Sequence, residues 1–159
     1  MEVKIITEDD IPKWELLSFE HDVYVKELVS DITEWYEGNE NSPSYKVYME
    51  SKIRQKEAFM VIDIFGNCLG IIAFSKKSNR ITFFGISKNG DIKIIGNLLL
   101  SHGIKLLDKK QKIGINLMCS KSDWINQYRE LYIENGFVQT GDALENGVPV
   151  NVFEKFSEN

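Results

Sequence analysis

Ile81-Thr82-Phe83-Phe84-Gly85-Ile86-Ser87, then Lys88-Asn89-Gly90-Asp91, then the apolar run through Ile94-Ile95-Gly96-Asn97-Leu98-Leu99-Leu100, is the stretch on which the fold turns. A β-rich run passes through a Gly-containing polar turn into a pattern with helical period. The helix is expected from about Ile94 to Lys109. Its polar positions, Asn97, Ser101, Lys105 and Asp108, form one narrow stripe and the rest is apolar, so it is buried against a sheet. Gly103 inside it costs about 1 kcal/mol relative to Ala, which calls for a close packing contact. Ile113–Cys119 is the next strand. After a helical crossover it is expected to run parallel to Ile81–Ser87 with right-handed connectivity.

Upstream, Ala58–Ile64 and Leu69–Ser75 are apolar runs joined by Phe65-Gly66-Asn67, a hairpin, and Lys76–Arg80 turns the chain into Ile81–Ser87. These three strands read as an antiparallel meander. Before them, Glu2–Ile6 is a short strand, and Thr7 is a candidate N-cap ahead of Glu8, Asp9, Asp10 and Pro12. Val25, Leu28, Val29, Ile32, Trp35 and Tyr36 have helical spacing. Pro43 opens another segment with Tyr45, Tyr48, Met49 and Ile53 on one face. Downstream, Ser122 or Asp123 caps a helix whose apolar face carries Trp124, Ile125, Tyr128, Leu131 and Tyr132, with Gly136 as its stop. Phe137–Thr140 and Val148–Phe156 close the chain as strands joined through Gly141–Gly147. The expected order is β-α-α-α-β-β-β-α-β-α-β-β, an α/β (α+β) sandwich with helices on both faces of a mixed sheet, in one domain spanning 1–159.

Composition narrows the function. With 159 residues, 43% hydrophobic, 27% charged and only three prolines, the chain has a core and is neither disordered nor low-complexity. Nineteen basic against 24 acidic residues give a net charge of −5, without the basic excess that nucleic-acid binding requires. The Lys109-Lys110-Gln111-Lys112 cluster is assigned to a helix end, where cations oppose the dipole. No apolar run approaches the roughly 20 residues of a membrane span, and Met1-Glu2-Val3-Lys4 does not open a signal peptide, so a cytoplasmic protein is expected. Cys68 and Cys119 lack metal-ligand spacing and read as thiols, Cys119 as core at a strand end. His21 and His102 are the only histidines, His102 falls on an apolar helix face as a hydrogen-bonded core residue, and no metal site is expected.

A strand that ends in such a turn presents free N–H groups at the helix start, which suits a phosphate or pyrophosphate; an ordinary strand-to-helix connection reads the same way. Leu131-Tyr132-Ile133-Glu134-Asn135-Gly136-Phe137, with its following strand, acidic loop and closing strand, resembles the C-terminal signature of the GCN5-related N-acetyltransferase (GNAT) family. Gly96-Asn97-Leu98-Leu99-Leu100 resembles the end of that family's pyrophosphate loop, a Gln/Arg-x-x-Gly-x-Gly/Ala pattern. Asp91 stands in place of the usual Gln or Arg, and Ile94 in place of the first glycine. The element order is similar along nearly the whole chain.

The resemblance implies an acetyl-CoA-dependent N-acetyltransferase working by direct transfer to a primary amine of a small-molecule or peptidyl acceptor. It implies that Phe84, Gly85, Ile86 and Ser87 hold the pantetheine and polarise the acetyl carbonyl. It implies that Asp91, Ile92, Lys93, Ile94, Ile95, Gly96 and Asn97 cradle the diphosphate, and that Asn126, one residue from the family's asparagine position, contacts the co-substrate. Tyr132 is then the catalytic residue beside the thiol. Packing is the competing reading for both Tyr132 and Gly96. Glu20, Asp22, Tyr24 and Ser120 are candidate proton relays, because no carboxylate lies in Ile81–Ser87. Residues Glu20–Tyr48 and the Asp142–Val148 loop are the expected acceptor cleft. The scheme is compatible with a homodimer. The alternative is a non-catalytic GNAT-fold acyl-CoA sensor or interaction module.

Overall fold

A computed structural model of the chain describes residues 1–21, 45–145 and 148–157. The elements are β1 (Glu2–Ile5), a 3-10 turn (Glu8–Asp10), α1 (Ile11–Glu20), α2 (Tyr45–Arg54), β2 (Ala58–Ile62), β3 (Cys68–Ser75), β4 (Arg80–Ile86), α3 (Ile92–Leu106), β5 (Ile113–Met118), α4 (Asp123–Glu134), β6 (Val138–Glu145) and β7 (Val148–Lys155). The helical spacing at Val25–Tyr36 lies outside the described residues, as do Asp22 and Tyr24.

The strands form one seven-stranded sheet in the order β1-β2-β3-β4-β5-β7-β6. The β2-β3-β4 meander is antiparallel, as expected, and β4 pairs in parallel with β5 across the α3 crossover. Alternation along β2 and β3 sends side chains to two cores. Met60, Ile71 and Ala73 meet Trp14 and Leu17 of α1 and Met49 of α2 on one face. Val61, Ile72 and Phe74 join Ile95, Leu99 and Leu100 of α3, with Leu131 and Tyr132 of α4, on the other. The close packing expected at Gly103 is present: a Cβ there would lie 2.6 Å from Ile72 Cδ1.

Three local features fix the frame around β4. At its start, Asn79 is buried in the left-handed region (φ 53°) and clamps the α3–β5 connection. Its side chain accepts from Asp108 N–H at 2.8 Å and donates to the carbonyls of Asp108 (2.9 Å) and Lys112 (3.0 Å). Within β4 the register against β3 shifts between Ala73 and Phe74, leaving Thr82 as the extra residue of a bulge. At the far end of α4, Gly136 (φ 90°) turns the chain, and Phe137 N–H donates to the Tyr132 carbonyl at 3.0 Å.

Several boundaries differ from expectation, among them the end of α3 at Leu106 in place of Lys109 and of β2 at Ile62 in place of Ile64. Helix α3 begins at Ile92, ahead of Ile94, because Asp91 is its N-cap, its carboxylate accepting from Ile94 N–H at 2.9 Å. Strand β6 continues to Glu145 through the segment expected as a loop. It is an edge strand, and a register shift between Gln139 and Gly141 absorbs the extra residue. Cys119 is exposed just past the end of β5, so the expectation that it is core is corrected.

Candidate active site at the opening between β4 and β5

Parallel pairing of β4 with β5 is confined to Arg80↔Gly114 and Ile81↔Ile115. Beyond Ile81 the strands part, while β4 stays paired with β3 up to Ile86 and β5 with β7 up to Met118. The Asn79 clamp closes one end of this wedge and α4 crosses its open side. A strand edge that loses its neighbour turns every second residue's N–H and C=O out of the sheet ladder, here those of Phe84 and Ile86. That edge is the chemical resource of the site.

Beside it, Tyr132 is buried, with its ring centroid 5.9 Å from Phe84, 5.6 Å from Phe153 and 6.2 Å from Phe137. One turn earlier on the same face, Tyr128 packs against Phe84 and Trp124, and its hydroxyl accepts from Ile86 N–H at 2.9 Å. Burial pushes the Tyr128 phenol above its ordinary value, so it stays protonated. From the other face, His21 Nε2 lies 3.0 Å from the Ile86 carbonyl, and Glu20 accepts from Lys88 N–H at 3.1 Å and from Ser87 Oγ at 3.4 Å. Tyr128, His21 and Glu20 in this arrangement were not anticipated. Their partners lie 42 to 68 positions away in sequence, and only the position of Tyr128 one turn before Tyr132 hinted at it.

Within the expected cradle from Asp91 to Asn97, several amides are already bonded inside the molecule. Ile94 N–H is taken by the Asp91 side chain and Ile95 N–H by the Asp91 carbonyl at 3.0 Å. Gly96 and Asn97 lie inside the helix, where amides bond to the preceding turn. Helix geometry leaves Ile92 and Lys93 as the outward main-chain donors of the first turn. Gly96 has a packing reason to be glycine, because a Cβ would meet Leu131 Cδ2 at 2.4 Å. Asn97 Oδ1 accepts from Asn135 Nδ2 at 2.8 Å. The Asn126 side chain is committed to Arg129, which also reaches Ser120 O and Asn151 Oδ1. The chemistry that remains for an anionic group is therefore the Ile92 and Lys93 amides with the exposed Lys88 and Lys93 side chains; Lys93 Nζ is 3.7 Å from Glu134. The Asp91 carboxylate, capping Ile94 N–H, occupies part of the same helix start with its negative charge.

On the face covered by α1 and α2, Tyr45 and Tyr48 stack at 5.5 Å and pack with Phe83 around the buried Trp14. Tyr48 Oη lies 2.7 Å from Thr82 Oγ1 in the β4 bulge. Asp142 Oδ1 accepts from Asn151 Nδ2 at 2.9 Å. A separate cleft of 260 Å³, lined by Ser101, Lys105, Lys109, Gln111, Lys155 and Phe156 among others, lies toward the start of β5, away from the wedge.

Burial holds both histidines below their ordinary pKa near 6.5, and His102 Nε2 has no hydrogen-bond partner among the described residues, where a hydrogen-bonded core residue was expected. The unfolded chain therefore takes up these protons at higher pH than the folded one. The stability concerned is fully present above pH 6.5 and is lost as pH falls below it. The urea midpoint is expected to drop between about pH 7.5 and 5.5, and His21→Gln to flatten that drop. An identical drop in the variant would remove His21 from this balance.

No family model matches the chain, and no curated protein matches it in sequence. Solved structures do match. A GNAT-family acetyltransferase from Bacillus cereus superposes with TM-score 0.66 at 14% identity, covering 99% of this chain and 98% of the other. Chaetomium thermophilum Naa20, in complex with a bisubstrate analogue, gives 0.67 at 12% identity over 99% and 87%. A Vibrio cholerae spermidine N-acetyltransferase SpeG chimera with hSSAT gives 0.61 at 16% over 98% and 96%. The chain has the GNAT fold. Within that GNAT fold, Phe84 at the parted edge of β4 and Tyr132 on α4 are in ring contact. None of the described helices is long and apolar enough to cross a membrane.

Proposed function

We propose that the chain is an acetyl-CoA-dependent N-acetyltransferase that passes the acetyl group directly to a primary amine of a small-molecule or peptidyl acceptor. The observation that carries this reading is the parting of β4 from β5 after Ile81↔Ile115, with the Tyr132 ring against Phe84 in the wedge. The fold and its neighbours support it: one is named for spermidine acetylation, and another is bound to a bisubstrate analogue.

The thioester brings the activated acyl group, and the rest of the chemistry falls to the chain. Phe84 N–H, on the unpaired edge, is assigned to polarise the carbonyl, as a fixed donor aimed at developing negative charge. Tyr132 is assigned to protonate or hydrogen-bond the departing sulfur. A phenol near pKa 10 facing a thiol near 8.5 is mismatched by roughly 2 kcal/mol, which a hydrogen bond tolerates. Ile92, Lys93 and the Lys88 and Lys93 ammonium groups are assigned to the phosphates.

The strand segment carries no carboxylate to deprotonate the amine. Deprotonating a lysine-type amine at pH 7 costs roughly 4.6 kcal/mol, against about 1 for an α-amine. The site therefore suits an acceptor of low pKa, or a proton relayed through water.

Calorimetric titration with acetyl-CoA, followed by a free-thiol release assay across an amine panel, tests the reading. Saturable binding with amine-dependent thiol release is expected, with α-amines favoured over ε-amines. Binding without release on any amine would mark a non-catalytic acyl-CoA sensor instead. Absence of binding would overturn both.

A further inference from the structure

The polar groups at the end of β4 are already bonded to side chains of the same molecule. Ile86 N–H goes to the Tyr128 hydroxyl at 2.9 Å, and the Ile86 carbonyl to His21 Nε2 at 3.0 Å. A carbonyl only accepts, so Nε2 carries the proton, and burial keeps this ring neutral at pH 7. The imidazole lies 5.0 Å from Trp124 and against Gly85, where a Cβ would meet His21 Cε1 at 2.7 Å. Next to it, the Glu20 carboxylate takes Lys88 N–H at 3.1 Å and Ser87 Oγ at 3.4 Å, placing a negative charge at the turn that leads into α3.

The His21 and Glu20 contacts come from one place, the last residue of α1 and its C-cap, and they take the Ile86 carbonyl, which the family resemblance gives to the pantetheine. We propose that Glu20 and His21 form an autoinhibitory latch on the end of β4, and that an acyl-CoA engages Ile86 only by displacing it. This rests on the proposed acyl-CoA reading and adds its regulation. Ile86 cannot pair its carbonyl with both His21 and a pantetheine amide. A carboxylate bonded to Lys88 N–H also repels an incoming phosphate. The apparent affinity is then the intrinsic affinity reduced by the fraction of molecules with the latch open.

The test measures acetyl-CoA binding to the full chain and to Glu20→Ala, Glu20→Gln and His21→Ala. Each variant is expected to bind about tenfold more tightly, as for a groove open in roughly one wild-type molecule in ten. Glu20→Gln keeps the side-chain volume and serves if His21→Ala fails to fold. Trp124 gives a second readout: acetyl-CoA should change its emission in the wild type as His21 leaves it, and Trp124→Phe should abolish that change. Wild-type binding with unchanged or weaker affinity in folded Glu20 variants would overturn the latch alone. No binding by wild type or any variant would overturn the acyl-CoA reading and the latch with it. Binding by the variants and not by the wild type would support both.

Discussion

Lys52→Met is expected to cost about 3–5 kcal/mol of folding stability, the penalty for leaving a buried charge without its partner. Lys52 and Glu57 are 8% and 6% exposed, an uncommon depth for either residue. The lysine donates to the Phe74 carbonyl at 2.6 Å and to Glu57 Oε1 at 3.3 Å, while Glu57 Oε2 accepts from Lys76 N–H at 2.6 Å. One ion pair thus joins the last turn of α2, the start of β2 and the end of β3, the strand that carries β4. Methionine fills the stem's volume but leaves the carboxylate buried with only Lys76 N–H. The double variant Lys52→Met/Glu57→Gln removes both charges and should recover much of the loss, because the cost lies in the orphaned charge more than in the missing attraction. Urea unfolding of the three proteins at pH 7.5 checks this. A single-variant loss below about 1 kcal/mol would show that water reaches the pair.

The elements that position the site were legible where period and punctuation agree. Alternation with Gly66 and Asn79 at the turns marked the meander. A helix that is apolar on nearly every side can only be a crossover packed on a sheet, which made β4 and β5 parallel neighbours. Gly136 was readable as a stop because few other residues adopt φ 90°. The apolar period of α3 is readable only from Ile94, two residues inside the helix, because the Asp91 cap and the first turn carry no period of their own. Strand β6 was cut short because Gly141 and Asp142 carry turn chemistry, yet an edge strand tolerates both. The closure at Ile86 depends on α1 and α4 reaching β4 from opposite faces. No local pattern encodes such a meeting, so the bonds of Glu20, His21 and Tyr128 to β4 emerge only from the tertiary structure.

Tyr132→Phe is expected, on the proposed reading, to lower kcat by about 10²–10⁴-fold while acetyl-CoA affinity stays as in the wild type. The substitution removes one oxygen and keeps the ring that packs on Phe84, Phe137 and Phe153, so stability should fall by only about 1 kcal/mol. Tyr132→Ala would confuse the question, since truncating so buried an aromatic costs about 3–5 kcal/mol in packing alone. Packing and chemistry, the two readings that the motif's spacing left open, then separate cleanly. If Tyr132 only fills the core, the phenylalanine variant turns over at the wild-type rate. If it serves the departing sulfur, kcat and kcat/KM fall together, because the lost interaction belongs to the transition state and not to the bound ground state. An acyl donor whose leaving thiol has a lower pKa needs less proton donation, and should lose less rate in the variant than acetyl-CoA does. An equal loss with both donors would move Tyr132 from proton donor to a residue that orients the bound thioester.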